Sequence, residues 1–150
     1  MTSMTSGTSE GLLHATVTHR FKASPERVFD AWLDPEKVMK WMFPNGDIVR
    51  VEIDPRVGGR FSFVDRREGE EVDHVGEYLE IDRPRRLVFT FGMPSVSPDF
   101  DRVTVEIVSL ETGCELTLTH EMNAEWADYL DSTKEAWATM LEAMARALGE

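Results

Sequence analysis

The side chains able to do chemistry in this 150-residue chain are few: four histidines, one cysteine, two tyrosines and a scatter of carboxylates. His14 and His19 differ in parity, so on one extended strand they point to opposite faces and cannot chelate a shared ion. His74 keeps the parity of Val72, Gly76 and Tyr78, and His120 that of Cys114, Leu116 and Leu118, unusual company for an imidazole. If those faces bound an interior space, His74, Tyr78 and His120 are its polar anchors, and Glu77 and Glu121 are the acids available for an acid–base pair. The alternative for either histidine is an imidazole hydrogen-bonded to backbone, at a strand end in the case of His120.

Other chemistries find no pattern. There is no Gly-x-Ser-x-Gly elbow; Gly92-Met93-Pro94-Ser95-Val96 lacks the second glycine, so Ser95 reads as a loop serine. Cys114 shares the apolar parity of Leu116 and Leu118 and reads as a small buried hydrophobe rather than a reactive thiol. As the one cysteine it cannot pair within the chain, which suits a reducing compartment and excludes disulfide and zinc scaffolds. Gly58-Gly59 precedes a strand and no helix, so it reads as a positive-φ turn rather than a phosphate cradle. Arg83, Arg85 and Arg86 form the one tight basic cluster, a solvated turn, with anion capture as the alternative.

The background charge narrows the partners. With 28 carboxylates against 16 Lys and Arg the formal net charge is -12, a field that repels phosphate backbones and anionic membranes. No apolar run approaches the ~18 residues of a membrane span. The first eleven residues are polar, Thr/Ser-rich and without a basic or apolar leader region, so a cytoplasmic, unexported protein is expected. The 41% apolar content is ample for one sizeable core in a chain of this length.

The elements that must position these side chains follow from periodicity. Residues 1–11 read as a flexible tail, and a single domain is expected over 12–150. Leu13, Ala15, Val17, His19 and Phe21 alternate with polar residues as a half-buried strand does. Ser24-Pro25-Glu26 and Asp34-Pro35-Glu36 then give two helix starts, each cap, proline and acid, with Phe43-Pro44-Asn45-Gly46 as the stop. Six strands follow, at 48–53, 60–65, 72–81, 86–91, 103–110 and 114–120, separated by short turns that favour an antiparallel meander.

From 121 to 148 the period changes. Trp126, Leu130, Thr133, Trp137, Met140, Leu141, Met144 and Leu148 step by three and four, which predicts one long, uninterrupted amphipathic helix with Asp128, Asp131, Glu135 and Glu142 on its solvated face. The expected class is α+β in the order β-α-α-β6-α. One helix about 10 Å across cannot lie flush on a seven-stranded sheet, so the sheet must curl around it. Such a grip leaves room between sheet and helix for a ligand.

The ordered series Phe21-Lys22-Ala23-Ser24-Pro25-Glu26-Arg27-Val28-Phe29-Asp30-Ala31-Trp32, Asp34-Pro35-Glu36, Trp41 with Pro44, and Asp54 with Val57-Gly58-Gly59-Arg60-Phe61-Ser62-Phe63 is familiar. So are Gly76-Glu77-Tyr78-Leu79-Glu80-Ile81, Arg86-Leu87-Val88-Phe89-Thr90-Phe91, Leu116-Thr117-Leu118-Thr119-His120 and the last helix. Over residues 12–148 this resembles the START-like (SRPBCC) superfamily and, within it, bacterial proteins grouped with activators of heat-shock-protein ATPase. Two departures stand out: Ala136-Trp137 where the family usually has Gly-Trp, and Cys114 where threonine often follows the glycine.

The resemblance implies a helix-grip (START/Bet v-like) fold, its seven-stranded curved antiparallel sheet wrapped on the C-terminal helix around a hydrophobic cavity. The expected function is binding of a small hydrophobic or aromatic molecule there, with a cyclase-, dehydratase- or hydrolase-like enzyme and a co-chaperone-like module as alternatives. The expected ligand contacts are Trp32, Trp41, Phe43, Phe61, Phe63, His74, Tyr78, Phe89, Phe91, His120, Trp126, Trp137 and Met140. No cofactor, metal, nucleic acid or membrane partner is expected, and homodimerisation is left open.

Overall fold

Ser24 and Asp34 open two short helices by the same device. In the computed structural model, which describes residues 12–44, 47–96 and 100–150, the Ser24 hydroxyl accepts from the Arg27 N–H at 3.3 Å. The Asp34 carboxylate accepts from the Glu36 N–H at 3.0 Å, and a proline occupies the first helical position each time. The helices are α1 (Pro25–Asp30) and α2 (Pro35–Trp41). The expected tail at 1–11 and the Asn45-Gly46 part of the helix stop lie outside the described residues.

The strands are β1 (Leu12–Phe21), β2 (Asp47–Ile53), β3 (Arg60–Arg67), β4 (Glu70–Asp82), β5 (Arg86–Phe91), β6 (Asp101–Ser109) and β7 (Cys114–Asn123). All pairs are antiparallel, in the order β1-β7-β6-β5-β4-β3-β2, so the six-strand meander is completed by β1 on its β7 edge. Gly58 takes φ +85 in the turn before β3, and a Cβ on Gly59 would stand 2.2 Å from the Asp54 carbonyl oxygen, so the glycine pair is a turn.

β4 bends the sheet. Residues 70–77 pair with β3, and from Tyr78 onward β4 pairs with β5. At the changeover the Glu77 N–H bonds the Thr90 hydroxyl at 2.9 Å instead of a ladder carbonyl. A Cβ on Gly76 would lie 1.8 Å from the Thr90 carbonyl oxygen and 2.5 Å from the Phe61 ring, so only glycine allows the strands this close.

The C-terminal helix α3 (Leu130–Ala147) packs against β1 and α2. It begins later than its periodicity predicts. β7 continues through Asn123 because Met122 and Asn123 pair with Leu13 and Leu12 of β1. A 3-10 turn (Ala124–Tyr129) follows, opened by Asn123, whose side chain accepts from the Glu125 N–H, and broken at Trp126 (φ −99, ψ 20). Trp126 therefore stands ahead of the α-helix rather than within it. Asp128, Asp131, Glu135 and Glu142 are exposed, as the solvated face requires.

The core lies between the sheet's inner face and α1–α3. Trp32 packs edge-on against Trp41 (4.7 Å) and beside Trp137 (6.0 Å), with Leu87, Leu116, Leu118, Leu141 and Met144 buried around them. Each such side chain contributes on the order of 1.5–3 kcal/mol by burial. Among the described residues no helix is long and apolar enough to cross a membrane.

Candidate functional site

The inner face of the sheet changes character along its strands. Over most of its extent it is apolar, carrying Phe61, Phe63, Leu87, Phe89, Val103, Val105, Leu116 and Leu118. Toward one end the same inward parity brings in Asp65 and Arg67 on β3, His74 on β4, Asp101 on β6 and His120 on β7. Three of these polar groups are buried: Asp65 at 0%, His74 at 2% and His120 at 6% exposure.

A hollow of about 460 Å³ opens at that end, between the sheet, the 3-10 turn and the first turns of α3. Its apolar walls include Phe43, Phe91, Met93, Val96, Met122, Trp126, Trp137 and Met140; its polar groups are Arg67, His74, Asp101, His120, Tyr129, Ser132 and Thr133. A larger concavity of about 800 Å³ lies over β2–β5, where Glu52, Asp54, Arg60 and Glu77 border it. Most of its border carries outward parity, with Ile53, Phe61, Val75 and Phe100 lining it beside those four charged residues.

His120 is held from both sides. The buried Trp137 Nε1–H donates to its Nδ1 at 2.9 Å, so Nδ1 carries the lone pair. Nε2 then carries the proton and donates it to Asp101 at 2.8 Å. Its partners are side chains and not backbone, and the acid beside it is Asp101; neither Glu77 nor Glu121 borders the hollow. With both nitrogens engaged, His120 has no free valence for acid–base work.

His74 is different. Its Nδ1 lies 3.3 Å from the Phe63 carbonyl oxygen, which can only accept, so Nδ1 bears the proton. Burial pushes its pKa below the ordinary histidine range; the carbonyl contact opposes this, and the Arg67 charge adds to it. Arg67 reaches the hollow's edge with its Nε donating to the fully buried Asp65 carboxylate and its guanidinium 5.7 Å from the centre of the Phe43 ring. Asp65 also accepts from the Asp47 N–H at 3.0 Å.

Of the expected contacts, Phe43, His74, Phe91, His120, Trp126, Trp137 and Met140 border the hollow. Trp32, Trp41, Phe63, Tyr78 and Phe89 do not: they fill the core, and Trp41 donates its N–H to the Ala31 carbonyl at 2.9 Å. Phe61 is also buried and touches only the outer concavity. Burial holds the Tyr78 hydroxyl above its usual range, so it stays protonated. Trp32 Nε1 is a buried donor with no partner among the described residues.

Arg67, Asp101 and Met122 lie beyond the strand bounds that the sequence predicts: β3 and β7 run on past residues 65 and 120, and β6 begins before residue 103. Extending the parity of Phe61-Phe63, of Val103-Val105 and of Leu116-Leu118 reaches each of them. Tyr129, Ser132 and Ala136 carry no such signal.

The remaining candidates are structural. Cys114 donates to the Ala23 carbonyl at 3.6 Å, and burial, reinforced by Glu150 and Glu26, pushes its thiol up to about 11. Arg83 pairs with Asp30, Arg85 with Asp82, and Arg86 with Glu80 and Glu106, so the basic cluster is already matched by carboxylates. Among the described residues no group of three or more His, Cys, Asp or Glu could hold a metal ion.

A curved antiparallel sheet gripping one long helix, with a hollow at the end of the grip, defines the helix-grip class. Within that class the family model described as "Activator of Hsp90 ATPase homolog 1-like protein" matches residues 22–149, and the chain belongs to that family. Solved structures share the fold. A Staphylococcus aureus protein of unknown function is 23% identical with a TM-score of 0.78, covering 91% of this chain and 93% of that one. A Chromobacterium violaceum protein is 26% identical with a TM-score of 0.78, covering 89% and 96%. A Mycobacterium smegmatis protein is 22% identical with a TM-score of 0.79, covering 91% and 90%. No curated protein matches the chain in sequence.

Proposed function

We propose that this protein binds a small, largely aromatic or apolar molecule in the hollow between the polar end of the sheet and the start of α3. One observation carries the reading: a space of about 460 Å³ walled by Phe43, Phe91, Trp126, Trp137 and Met140, with a few convergent polar groups. Small-molecule sites span roughly 300–1,000 Å³ and combine apolar walls with sparse polar anchors in this way. The bound molecule is expected to lie against the indoles of Trp126 and Trp137.

The test is a thermal-shift screen of aromatic, polyketide-like and lipid compounds. A compound at 100 times its dissociation constant adds about 2.7 kcal/mol, several degrees in a domain of this size. Ala136→Trp, which puts bulk into the hollow from an exposed helix position, should erase the shift. Should no compound move the transition, or should Ala136→Trp leave the shifts intact, the site assignment fails.

A further inference from the structure

The two histidines of the hollow differ in what they can still bind. His120 has both nitrogens engaged, one by Trp137 and one by Asp101. His74 donates from Nδ1 to the Phe63 carbonyl, and its Nε2, carrying a lone pair, has no hydrogen-bond partner among the described residues. Its ring is held 4.3 Å from Phe43 and 5.7 Å from Phe91, centre to centre. Arg67 lies against the same Phe43 ring; its Nε is taken by Asp65, while its terminal amino groups have no hydrogen-bond partner among the described residues.

This arrangement discriminates between polar groups. An ionised carboxylate presents only acceptors, which suit Arg67 but meet the lone pair of His74 Nε2. An ammonium group donates to Nε2 but is repelled by Arg67. A weakly acidic hydroxyl satisfies both: its O–H donates to Nε2, and its oxygen carries partial negative charge in the field of the guanidinium. Asp73 and Asp65 also lie near His74, the latter paired to Arg67, and Asp101 stands two strands away on β6, bonded to His120.

Resting on the binding reading above, we infer that the preferred ligands are aromatic molecules bearing a phenolic or enolic hydroxyl, with that hydroxyl donating to His74 Nε2 on the Arg67 side of the hollow. The aromatic body lies on Phe91 and the indoles. His74 is the specificity-determining residue, and Arg67 sets the field.

Calorimetric titration of the full chain near neutral pH with 2-naphthol, 2-methoxynaphthalene and 2-naphthoate separates the possibilities, because the three share a ring system and differ in the polar group. The expected result is naphthol about five- to tenfold tighter than its methyl ether, the worth of one hydrogen bond, with naphthoate no tighter than the ether. His74→Phe should bring naphthol to the level of the ether. Asp65→Asn with Arg67→Gln, which avoids leaving a buried carboxylate unpaired, should narrow the preference.

If a variant fails to fold, the wild-type His74 15N resonances decide: naphthol should move Nε2 upfield and leave Nδ1 in place. Equal binding of all three compounds, a tightest naphthoate, or an unmoved Nε2 overturns the ligand class while leaving the binding function standing. No binding by any naphthalene, together with an unresponsive thermal-shift screen, removes both.

Discussion

Trp137 of α3 and His120 of β7 are joined by a buried 2.9 Å hydrogen bond from the indole N–H to Nδ1, and the imidazole passes the constraint on to Asp101 at 2.8 Å. The helix is therefore tied to the sheet at the edge of the hollow by a directional contact as well as by packing. It also gives His120 a single tautomer and turns an expected acid–base candidate into a strut.

Trp137→Phe keeps the aromatic bulk and removes the donor. It should cost about 1–3 kcal/mol, the penalty for a buried acceptor left without its partner. Denaturant titration measures this, and the double variant with His120→Phe should cost less than the sum of the two single changes. Strict additivity would show that the bond contributes nothing.

Arg67→Met is expected to destabilise the fold although the arginine side chain is 53% exposed, because its partner Asp65 is 0% exposed. Asp65 would keep the Asp47 N–H but lose its charged partner, a loss of about 1–3 kcal/mol. Adding Asp65→Asn should recover part of it. A single variant as stable as wild type in urea would contradict the pairing.

Stability should fall in mild acid through His74. Its folded-state pKa lies below the ordinary value of 6.5, so the unfolded chain takes the proton first and stability drops as pH falls below about 6.5, levelling once the folded state also binds it. His74→Gln removes this component. The difference in unfolding free energy between wild type and His74→Gln should therefore shift against wild type between about pH 7.5 and 5; a difference that stays flat with pH refutes a buried, neutral His74.

Gly76→Ala tests the bend in β4. The added methyl would meet the Thr90 carbonyl at 1.8 Å, which is backbone and cannot swing away, so the strands must part. Overpacking of this kind costs about 1–3 kcal/mol or more. The melting temperature reads the cost, and amide exchange at 76–78 and 89–91 should rise with it.

Much of this molecule is legible in the order of its residues. The capped Pro-Glu starts at Ser24 and Asp34, the alternation from Leu13 to Phe21 and the glycine turn at 58–59 are local signals, and local backbone chemistry is sufficient to read them. Strand parity alone places His74 and His120 on the inner face, because a pleated strand alternates sides whatever it packs against. The start of α3 was not legible: Glu121 to Asn123 follow β1, a partner about a hundred residues away in sequence, and that pairing overrides the helical period.

Which inward residues border space and which fill the core was decided only by the tertiary structure. Trp41 and Trp137 are alike in sequence terms, yet one is sealed between α1 and the core while the other borders the hollow and holds His120. Likewise Asp101 becomes the partner of His120 only because β6 and β7 run side by side, and Arg67 meets the Phe43 ring only because the chain folds Phe43 over the end of β3. Periodicity determines the side to which a residue points, because it is a property of the local backbone. What stands opposite depends on how distant strands register and how sharply the sheet bends, and those are settled by packing of the whole chain.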